Sequence, residues 1–363
     1  MTTIVHAADG HLETIFANVR GGARRRAALA DAFARIVDLA LARNADVLTI
    51  GGDLFESQRA GPQTARLIYE QFGRFGKPVY IAPGNHDPYA AHSLYARADR
   101  PGNVRIFAEP AWAAFPLSDG ITLYGFGHTP AEPGRPFAAA RFDRPGIRLA
   151  LVHGSDEDRC PPGKRATAPF TTAEIVASGA TLVLAGHYHG GYVVEEAGAP
   201  ILAYHGSPEP IRYGERGNHG ALVVTIAAGR VRVEQVALAR TRLIECDVRV
   251  DGAGSERAVL AALESALEGY GSTDYVRARL QGTVPHGTRV DRELLAERCG
   301  IRLAALEIVD ATIAADYALL ARQPNVRGHV LRDLLARAQA GDADAERALP
   351  YVVAAFEGEE VAP

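Results

Sequence analysis

Residues 2–11, TTIVHAADGH, begin as a short apolar run and end in a polar turn that contains an aspartate and a histidine. The run Thr2–Val5 is typical of a buried strand, and Asp9-Gly10-His11 follows it. Two further apolar runs, Ala45–Ile50 and Val79–Ala82, are also followed by glycine and polar residues. This order predicts a sheet whose strand ends carry side chains suited to binding a ligand.

Helical and strand-like patterns alternate along the first part of the chain. Apolar residues recur at helical spacing over Arg24–Arg43 and Gln63–Phe75, which predicts two amphipathic helices. A capping-box pattern, with Glu174 three residues after Thr171, predicts a further helix over Thr171–Ser178. The other apolar runs predict strands at Val104–Phe107, Ile121–Phe126, Ile147–Val152, Thr181–Ala185, Tyr192–Glu195, Ile201–Tyr204, Ala221–Ile226 and Val231–Val236. We expect a mixed α/β sandwich with strands inside and helices outside.

A second pattern begins near Thr241 and runs strand, helix, strand, helix, strand. The five segments are Leu243–Val250, Ser255–Leu267, Tyr275–Gln281, Asp291–Glu297 and Leu306–Val309. Apolar residues over Ala314–Ala340 then predict two short helices with a break at Pro324 and Gly328. We therefore expect an α/β domain over residues 1–240, a small α+β domain over 241–313 and a helical C-terminal tail over 314–363.

Composition narrows the class of protein. The formal net charge of -4 argues against a wholly basic nucleic-acid binder. Three scattered cysteines favour a reducing compartment over a disulfide framework. Neither a signal-peptide pattern nor a membrane-length apolar run is visible, so we expect a soluble cytoplasmic protein. The triplet Arg24-Arg25-Arg26 opens a predicted helix, where its positive charge opposes the helix dipole. This mildly favours an external anion as the partner of these arginines. The alternative is that they only reflect the arginine-rich composition of the chain.

Five predicted strand ends each deliver aspartate, asparagine or histidine, usually beside a glycine. The residues are Asp9, His11, Asp53, Asn85, His153, His187 and His189. Glycine lets the backbone turn sharply and approach a ligand closely. Carboxylate, imidazole and amide donors without thiolate suit divalent ions of intermediate hardness, Mn²⁺ above all, with Fe²⁺, Co²⁺ or Zn²⁺ possible. A single aspartate or histidine after a strand is weak evidence, but five strand ends that each carry such a residue predict a metal site.

The series D-x-H, GD, GNH[DE], H and GH-x-H resembles that of the calcineurin-like metallophosphoesterases. The resemblance implies a dinuclear phosphodiesterase in which each ion has three ligands of its own and Asp53 bridges the two. One ion would be held by Asp9, His11 and His189, and the other by Asn85, His153 and His187. Such a pair of ions clamps the attacking and leaving oxygens of a phosphoester.

Two further residues carry catalytic hypotheses from the same resemblance. His86 would protonate the leaving oxygen or stabilise charge there. Glu56 stands where related phosphatases place an acid that orients this histidine, and a carboxylate there would keep the imidazole protonated. The alternative for Glu56 is a solvated residue at a helix start. Asp87 is predicted to fix the loop.

Three stretches, Ala8–Leu12, Gly52–Phe55 and Gly84–Asp87, resemble the SbcD/Mre-type DNA repair exonucleases, especially their shorter YhaO-like bacterial form. Gly206–Glu209 is similar to that family's PGS-x-E. The resemblance implies a DNA exonuclease or endonuclease that forms a homodimer beside an SMC-like (SbcC-type) ATPase. The unit after Thr241 is in the position of the DNA-capping domain.

Some residues remain open to more than one interpretation. His205 stands where the family commonly has proline, and we take it and Arg212 as candidate substrate-binding residues. His6 is expected to end a strand near the site, while His128 and His219 are expected on the surface or in loops.

Two rival functions use the same fold. One is a small-molecule phosphodiesterase or nucleotidase, for example for a cyclic nucleotide, and the second unit disfavours it. The other is a scaffold subunit without activity. Loss of metal ligands from the motifs would favour this function, and no ligand is missing. For the tail, the alternatives are packing on its own domain or docking onto the coiled-coil root of the ATPase.

Overall fold

The computed structural model describes residues 1–16, 21–131, 133–160, 166–215, 217–285, 288, 290–356 and 358. These residues divide into two units, one reaching Thr241 and the other starting at Arg242. Within the described ranges, no helix has both the length and the apolar character that crossing a membrane requires.

The first unit contains two six-stranded sheets. The strands of the first sheet are β1 (Thr2–Ala7), β2 (Val47–Ile50), β3 (Val79–Ile81), β4 (Val104–Ile106), β11 (Gly220–Ala227) and β12 (Arg230–Ala237). Their order is β12-β11-β1-β2-β3-β4. β1 to β4 are parallel, and β11 joins β1 as an antiparallel neighbour.

The second sheet has the order β5-β6-β7-β8-β10-β9. Its strands are β5 (Ala113–Ser118), β6 (Ile121–Phe126), β7 (Ile147–His153), β8 (Leu182–Gly186), β9 (Gly190–Glu196) and β10 (Ala199–Gly206). The central strands β6, β7, β8 and β10 are parallel, and antiparallel strands close both edges. Both sheets therefore present the carboxyl ends of several parallel strands, where ligands bind in α/β proteins.

Apolar side chains hold the first unit together. One buried cluster joins residues of both sheets, among them Ile4, Leu149, Leu184 and Leu222, each with 0% exposure. Full burial of such side chains stabilises by about 1.5–3 kcal/mol each. The helices of this unit are α1 (Gly22–Ala42), α2 (Pro62–Phe75) and α3 (Thr172–Ser178). α3 starts with the predicted capping box of Thr171 and Glu174.

The second unit is built on a parallel three-stranded sheet in the order β13-β14-β15. Its elements are β13 (Arg242–Arg249), α4 (Glu256–Ala266), β14 (Asp274–Pro285), α5 (Arg292–Cys299), β15 (Ala305–Ala315), α6 (Tyr317–Ala321), α7 (Val326–Gln339) and α8 (Ala343–Phe356). Leu331 of α7 is fully buried in a cluster with Leu349 and Val353 of α8. The C-terminal helices therefore pack within their own unit.

The predicted mixed α/β fold is confirmed, and the structure differs from the sequence-based expectations at three places. No sequence pattern predicted β5, an edge strand that contains Pro116. Gly328 lies inside α7, so the break between the tail helices is nearer Pro324 alone. β15 continues to Ala315, beyond the predicted strand end at Val309 and the predicted boundary at residue 313.

Candidate metal centre

The seven predicted ligands come from both sheets of the first unit. Asp9, Asp53 and Asn85 follow β1, β2 and β3 of the first sheet, and His11 lies just beyond Asp9. In the second sheet, His153 is the last residue of β7. His187 and His189 occupy the turn between β8 and β9. The strand-end pattern of the sequence thus becomes one cluster in space.

The backbone holds the first three of these ligands in an unusual conformation. The φ angles of Asp9, His11 and Asp53 are 55°, 42° and 50°, in the left-handed region that non-glycine residues rarely adopt. Backbone hydrogen bonds fix the turn, from the Asp9 N–H to the Gly52 carbonyl at 3.0 Å and from the His11 N–H to the Asp53 carbonyl at 2.9 Å. Such strain persists at functional sites where the surrounding structure determines it.

Glycine is required at position 52 for two reasons. Its φ of +84° is in the left-handed region, and a Cβ there would lie 2.7 Å from both the Gly84 nitrogen and the His153 Nδ1. Any side chain would separate the loop that carries Asp53 from the second sheet. The Gly-Asp motif is therefore explained by close packing at the site.

Asp87 fixes the loops around Asp53. Its carboxylate accepts hydrogen bonds from the backbone N–H groups of Asp53, Leu54 and Gly84 at 3.0, 2.7 and 2.6 Å. The Tyr95 hydroxyl donates a further bond at 2.5 Å. This arrangement, fully buried, is the loop-fixing role predicted for Asp87.

Six of the predicted ligands form two groups of three. The ligand atoms of Asp9, His11 and His189 lie within 4.8 Å of one another, as do those of Asp53, His153 and His187. The Asp53 Oδ2 lies 3.2 Å from the His153 Nε2 and 3.8 Å from the His11 Nε2, so this carboxylate reaches both groups. The Asn85 Oδ1 lies 3.1 Å from the His153 Nε2. The predicted ligands thus lie close together in the structure, and Asp53 lies between the two groups.

The orientation of two imidazoles shows that the cluster fits a cation. The Nδ1 atoms of His11 and His189 bond carboxylates, those of Glu56 at 2.9 Å and Glu215 at 2.6 Å. When Nδ1 donates to a carboxylate, the neutral ring keeps a lone pair on Nε2. These two Nε2 atoms lie only 3.2 Å apart. A proton or a metal ion beside them offsets the repulsion between their lone pairs.

The charges of the cluster also favour a bound cation. Burial alone would lower the pKa of His153, but the negative charge of Asp53 raises it to about 9. Burial opposes ionisation of Asp53 as well, yet the neighbouring histidines hold the pKa of this carboxyl well below its usual range. Burial and the charge of His153 lower the pKa of His187 to about 3, which keeps its imidazole neutral. The carboxylates therefore attract positive charge to this point.

Glu56 contacts two histidines at once. One oxygen bonds the His11 Nδ1 and the other bonds the His86 Nδ1, both at 2.9 Å. Burial opposes ionisation of Glu56, but these hydrogen bonds outweigh it and lower its pKa. The bond to Glu56 raises the pKa of His86, although burial acts against it. The geometry matches the predicted orienting role, and the contact with His11 was not foreseen.

The two candidate substrate-binding residues lie in different surroundings. Arg212 is exposed, and its charge acts against the protonation of His189. His205 lies in β10 with 2% exposure. Neither of its ring nitrogens has a hydrogen-bond partner among the described residues. The structure thus brings Arg212 close to the cluster and leaves His205 in the core.

His128 and His219 lie in loops, which was one of the two expected places, but they are buried, with 2% and 8% exposure. The His128 Nε2 donates to the His153 carbonyl at 2.7 Å. Arg25 does not face an external anion, because it is fully buried and bonds the Pro210 carbonyl and Thr241.

One residue of the centre was missed altogether. Glu215 lies 26 residues after its partner His189 in a loop, where no strand end or motif marks it. The only available signal was a glutamate in a glycine-rich loop, which is common in solvated turns.

Comparison with known proteins identifies the class. Residues 2–191 match the model of the calcineurin-like phosphoesterase family. The chain belongs to this family. It is a metal-dependent phosphoester hydrolase, and the family together with the Asp and His cluster indicates a dinuclear site for divalent ions.

Individual relatives are distant. The chain is 28% identical over 302 residues to "Uncharacterized metallophosphoesterase YhaO" of Bacillus subtilis (strain 168). The aligned region covers 78% of this chain and 72% of that protein. A solved structure, TT1561 of Thermus thermophilus, is 11% identical, with a TM-score of 0.41 over 64% of this chain and 98% of the other. A dimetal phosphatase from Danio rerio is also 11% identical, with a TM-score of 0.41 over 65% and 97%.

Proposed function

We propose that this calcineurin-like phosphoesterase cleaves DNA near its ends, using two Mn²⁺ ions, as the nuclease subunit of a repair complex with an SMC-like ATPase. The observation that carries the DNA assignment is the second unit. A parallel βαβαβ sheet follows the metal-binding unit, in the position that the SbcD/Mre-type resemblance gives to a DNA-capping domain. A hydrolase for small esters needs no such unit.

The residues present suit a pair of divalent ions. Asp9, His11 and His189 would hold one ion, and Asn85, His153 and His187 the other, with Asp53 between them. When bound, the ions supply Lewis-acid stabilisation of a phosphoester and an activated water. Oxygen and nitrogen donors without thiolate favour Mn²⁺ over softer ions.

His86 is suited to donate a proton to the leaving oxygen. Its side chain is 36% exposed beside the buried cluster, so a bound phosphoester can reach it. Its backbone N–H donates to the Asp53 Oδ1 at 2.8 Å, which fixes its position relative to the bridging ligand. Glu56 orients the ring through Nδ1, and this hydrogen bond raises the pKa of His86, which favours the protonated form that a proton donor needs.

Arg212 is placed to contact a phosphate of the substrate. It is exposed and close enough to His189 to influence its protonation. A guanidinium offers several donors to phosphate oxygens in a fixed geometry. This local charge supplies part of the attraction for DNA that a net charge of -4 does not give.

The test is a Mn²⁺-supplemented nuclease assay on linear duplex and single-stranded DNA, run beside bis(p-nitrophenyl) phosphate. We expect His86→Ala to keep its metals and lose activity by roughly 10²–10⁴-fold on DNA. His92→Ala is the matched control, because His92 is exposed and, among the described residues, no hydrogen bond or ion pair joins it to the cluster. Cleavage of the small diester without cleavage of DNA, or faster hydrolysis of a cyclic nucleotide, would favour the small-molecule function instead.

The partner prediction now rests on particular surface residues. Leu319 of α6 and Val326 of α7 are 59% and 71% exposed, whereas Leu331 is buried. Deletion of the tail would open the core of the second unit, so substitutions on its surface are the better test. We expect Leu319→Asp with Val326→Asp to weaken co-purification with the co-expressed ATPase while the melting temperature is kept. A complex of unchanged affinity would exclude this surface.

Homodimer formation is a separate proposal from the same resemblance. Sedimentation equilibrium of the full chain tests it, and a mass equal to one chain at micromolar concentration would contradict it.

A further inference from the structure

We infer that Glu215 is a positioning residue for metal binding, and that with Glu56 it makes the Asp9–His11–His189 half of the centre the tighter of the two. The inference rests on the two-ion part of the proposed function and is independent of the DNA substrate. It concerns what lies behind each imidazole, on the side away from the ions.

In the Asp9–His11–His189 half, a carboxylate stands behind each imidazole. The His189 Nδ1 lies 2.6 Å from the Glu215 Oε1, and the His11 Nδ1 lies 2.9 Å from the Glu56 Oε1. Both rings are therefore fixed with Nε2 toward the centre. A carboxylate behind a ligating histidine sets the tautomer and makes the ring a stronger donor.

Glu215 is itself held in place. Its second oxygen accepts a hydrogen bond from the Ile211 N–H at 2.8 Å. Its side chain is only 11% exposed, and that of His189 is 17% exposed. The carboxylate thus ties the loop after β10 to the turn that carries His189, and it cannot turn away without losing both bonds.

The Asn85–His153–His187 half is supported differently. The His153 Nδ1 donates to the Gly51 carbonyl at 2.8 Å, which is a neutral acceptor. Within the described ranges, neither ring nitrogen of His187 has a carboxylate hydrogen bond. The third ligand of this half, Asn85, is an uncharged amide.

The two halves therefore differ in charge as well as in orientation. Among the residues that the structure describes, one half has the Asp9 carboxylate and two more carboxylates behind its imidazoles. The other half has only Asp53, which both halves share. Since more negative charge and more basic ligands favour a divalent cation, the Asp9–His11–His189 half should fill first as metal is added. The other half should exchange its ion more readily.

The experiment is calorimetric titration of the full chain with Mn²⁺ alone, in the wild type, Glu215→Ala and Glu215→Gln. We expect two binding steps in the wild type, and a first step weakened by about 10–100-fold in Glu215→Ala. Glu215→Gln keeps an acceptor for Nδ1 without the charge, so its first step should lie between the other two. The second step should stay within about threefold of the wild type in both variants.

Glu234→Gln is the matched control. Glu234 also bonds one basic partner, Arg43, but at the surface of the same unit with 51% exposure. Its two binding steps should equal those of the wild type. Urea unfolding without added metal distinguishes a variant that has lost its fold from one that has lost only metal affinity. If Glu215→Ala does not fold, Glu215→Gln still tests the inference, because glutamine has the size of glutamate.

The inference is overturned if both Glu215 variants keep the first step within twofold of the wild type, or if both steps weaken equally. Failure of the DNA function looks different. In that case two-step binding and its loss in the Glu215 variants remain, while linear DNA is not cleaved.

Discussion

Replacement of His205 by leucine should stabilise the protein, and more so in acid than at neutral pH. His205 is 2% exposed and neither ring nitrogen has a hydrogen-bond partner among the described residues. A buried polar group without a partner destabilises by about 1–3 kcal/mol, and an apolar residue of similar size removes that penalty. The neutral-pH gain should therefore be of this order.

The pH dependence follows from the pKa of His205. Burial first, and then the charges of His6 and His219, lower this pKa from 6.5 to about 3. Because the folded state resists protonation, the stability associated with neutral His205 is present above pH 6.5 and is lost as the pH falls toward 3. About pH 4.5 is near two pH units below the unfolded pKa. Between neutral pH and this pH, the free energy of unfolding should therefore fall by about 2–3 kcal/mol. His205→Leu should not show this decrease.

The assay is urea unfolding of the wild type and the variant at about pH 7.5 and about pH 4.5. The difference in the free energy of unfolding between the two proteins should grow by about 2–3 kcal/mol in acid. His219→Leu is the control, because the His219 Nδ1 has Ser207 Oγ as a partner at 3.0 Å and its loss should destabilise. A His205→Leu variant with a pH-independent difference would refute the burial argument, and one with lost DNA cleavage would restore His205 as a substrate-binding residue.

Asp53→Ala should lose both ions, because the bridging carboxylate reaches both halves, and full occupancy by elemental analysis would contradict this. Glu56→Gln should lower kcat and move the alkaline limb of the pH–rate profile to lower pH, since the pKa of His86 then falls. In a His86→Ala background, the same change should leave kcat unaltered, which steady-state kinetics at saturating Mn²⁺ would show. Glu209→Ala should destabilise by about 3–5 kcal/mol in urea unfolding, because the fully buried carboxylate bonds the Arg35 guanidinium at 2.5 Å.

The sequence was sufficient to predict those parts of the site that depend on which residues directly follow a strand. Asp9, Asp53 and Asn85 each follow a short apolar run that predicts a buried strand, and parallel strands bring their carboxyl ends to one edge. Position along the chain then places each side chain. The capping box at Thr171 was equally predictable, because its two partners are three residues apart.

Contacts between distant segments could not be predicted in the same way. His128 lies in a loop, as expected, but only the fold buries it and places its Nε2 against the His153 carbonyl, 25 residues away. Glu215 and Arg25 likewise depend on partners that only the assembled fold supplies. β5 was missed for another reason, because Pro116 opposes strand formation and is tolerated there only at the edge of a sheet.

The two sheets of the first unit supply ligands to the same centre, and this links the lifetime of the protein to the supply of metal. An ion bound by Asp9 or Asp53 and by a histidine of the second sheet joins the two layers directly. Metal that binds only the folded chain stabilises it by about 2.7 kcal/mol at one hundred times the dissociation constant. When the divalent metal is scarce, the layers lose this connection, the unfolded fraction rises, and proteases reach the chain more often. A cell would then remove the enzyme under the same conditions in which it cannot be active.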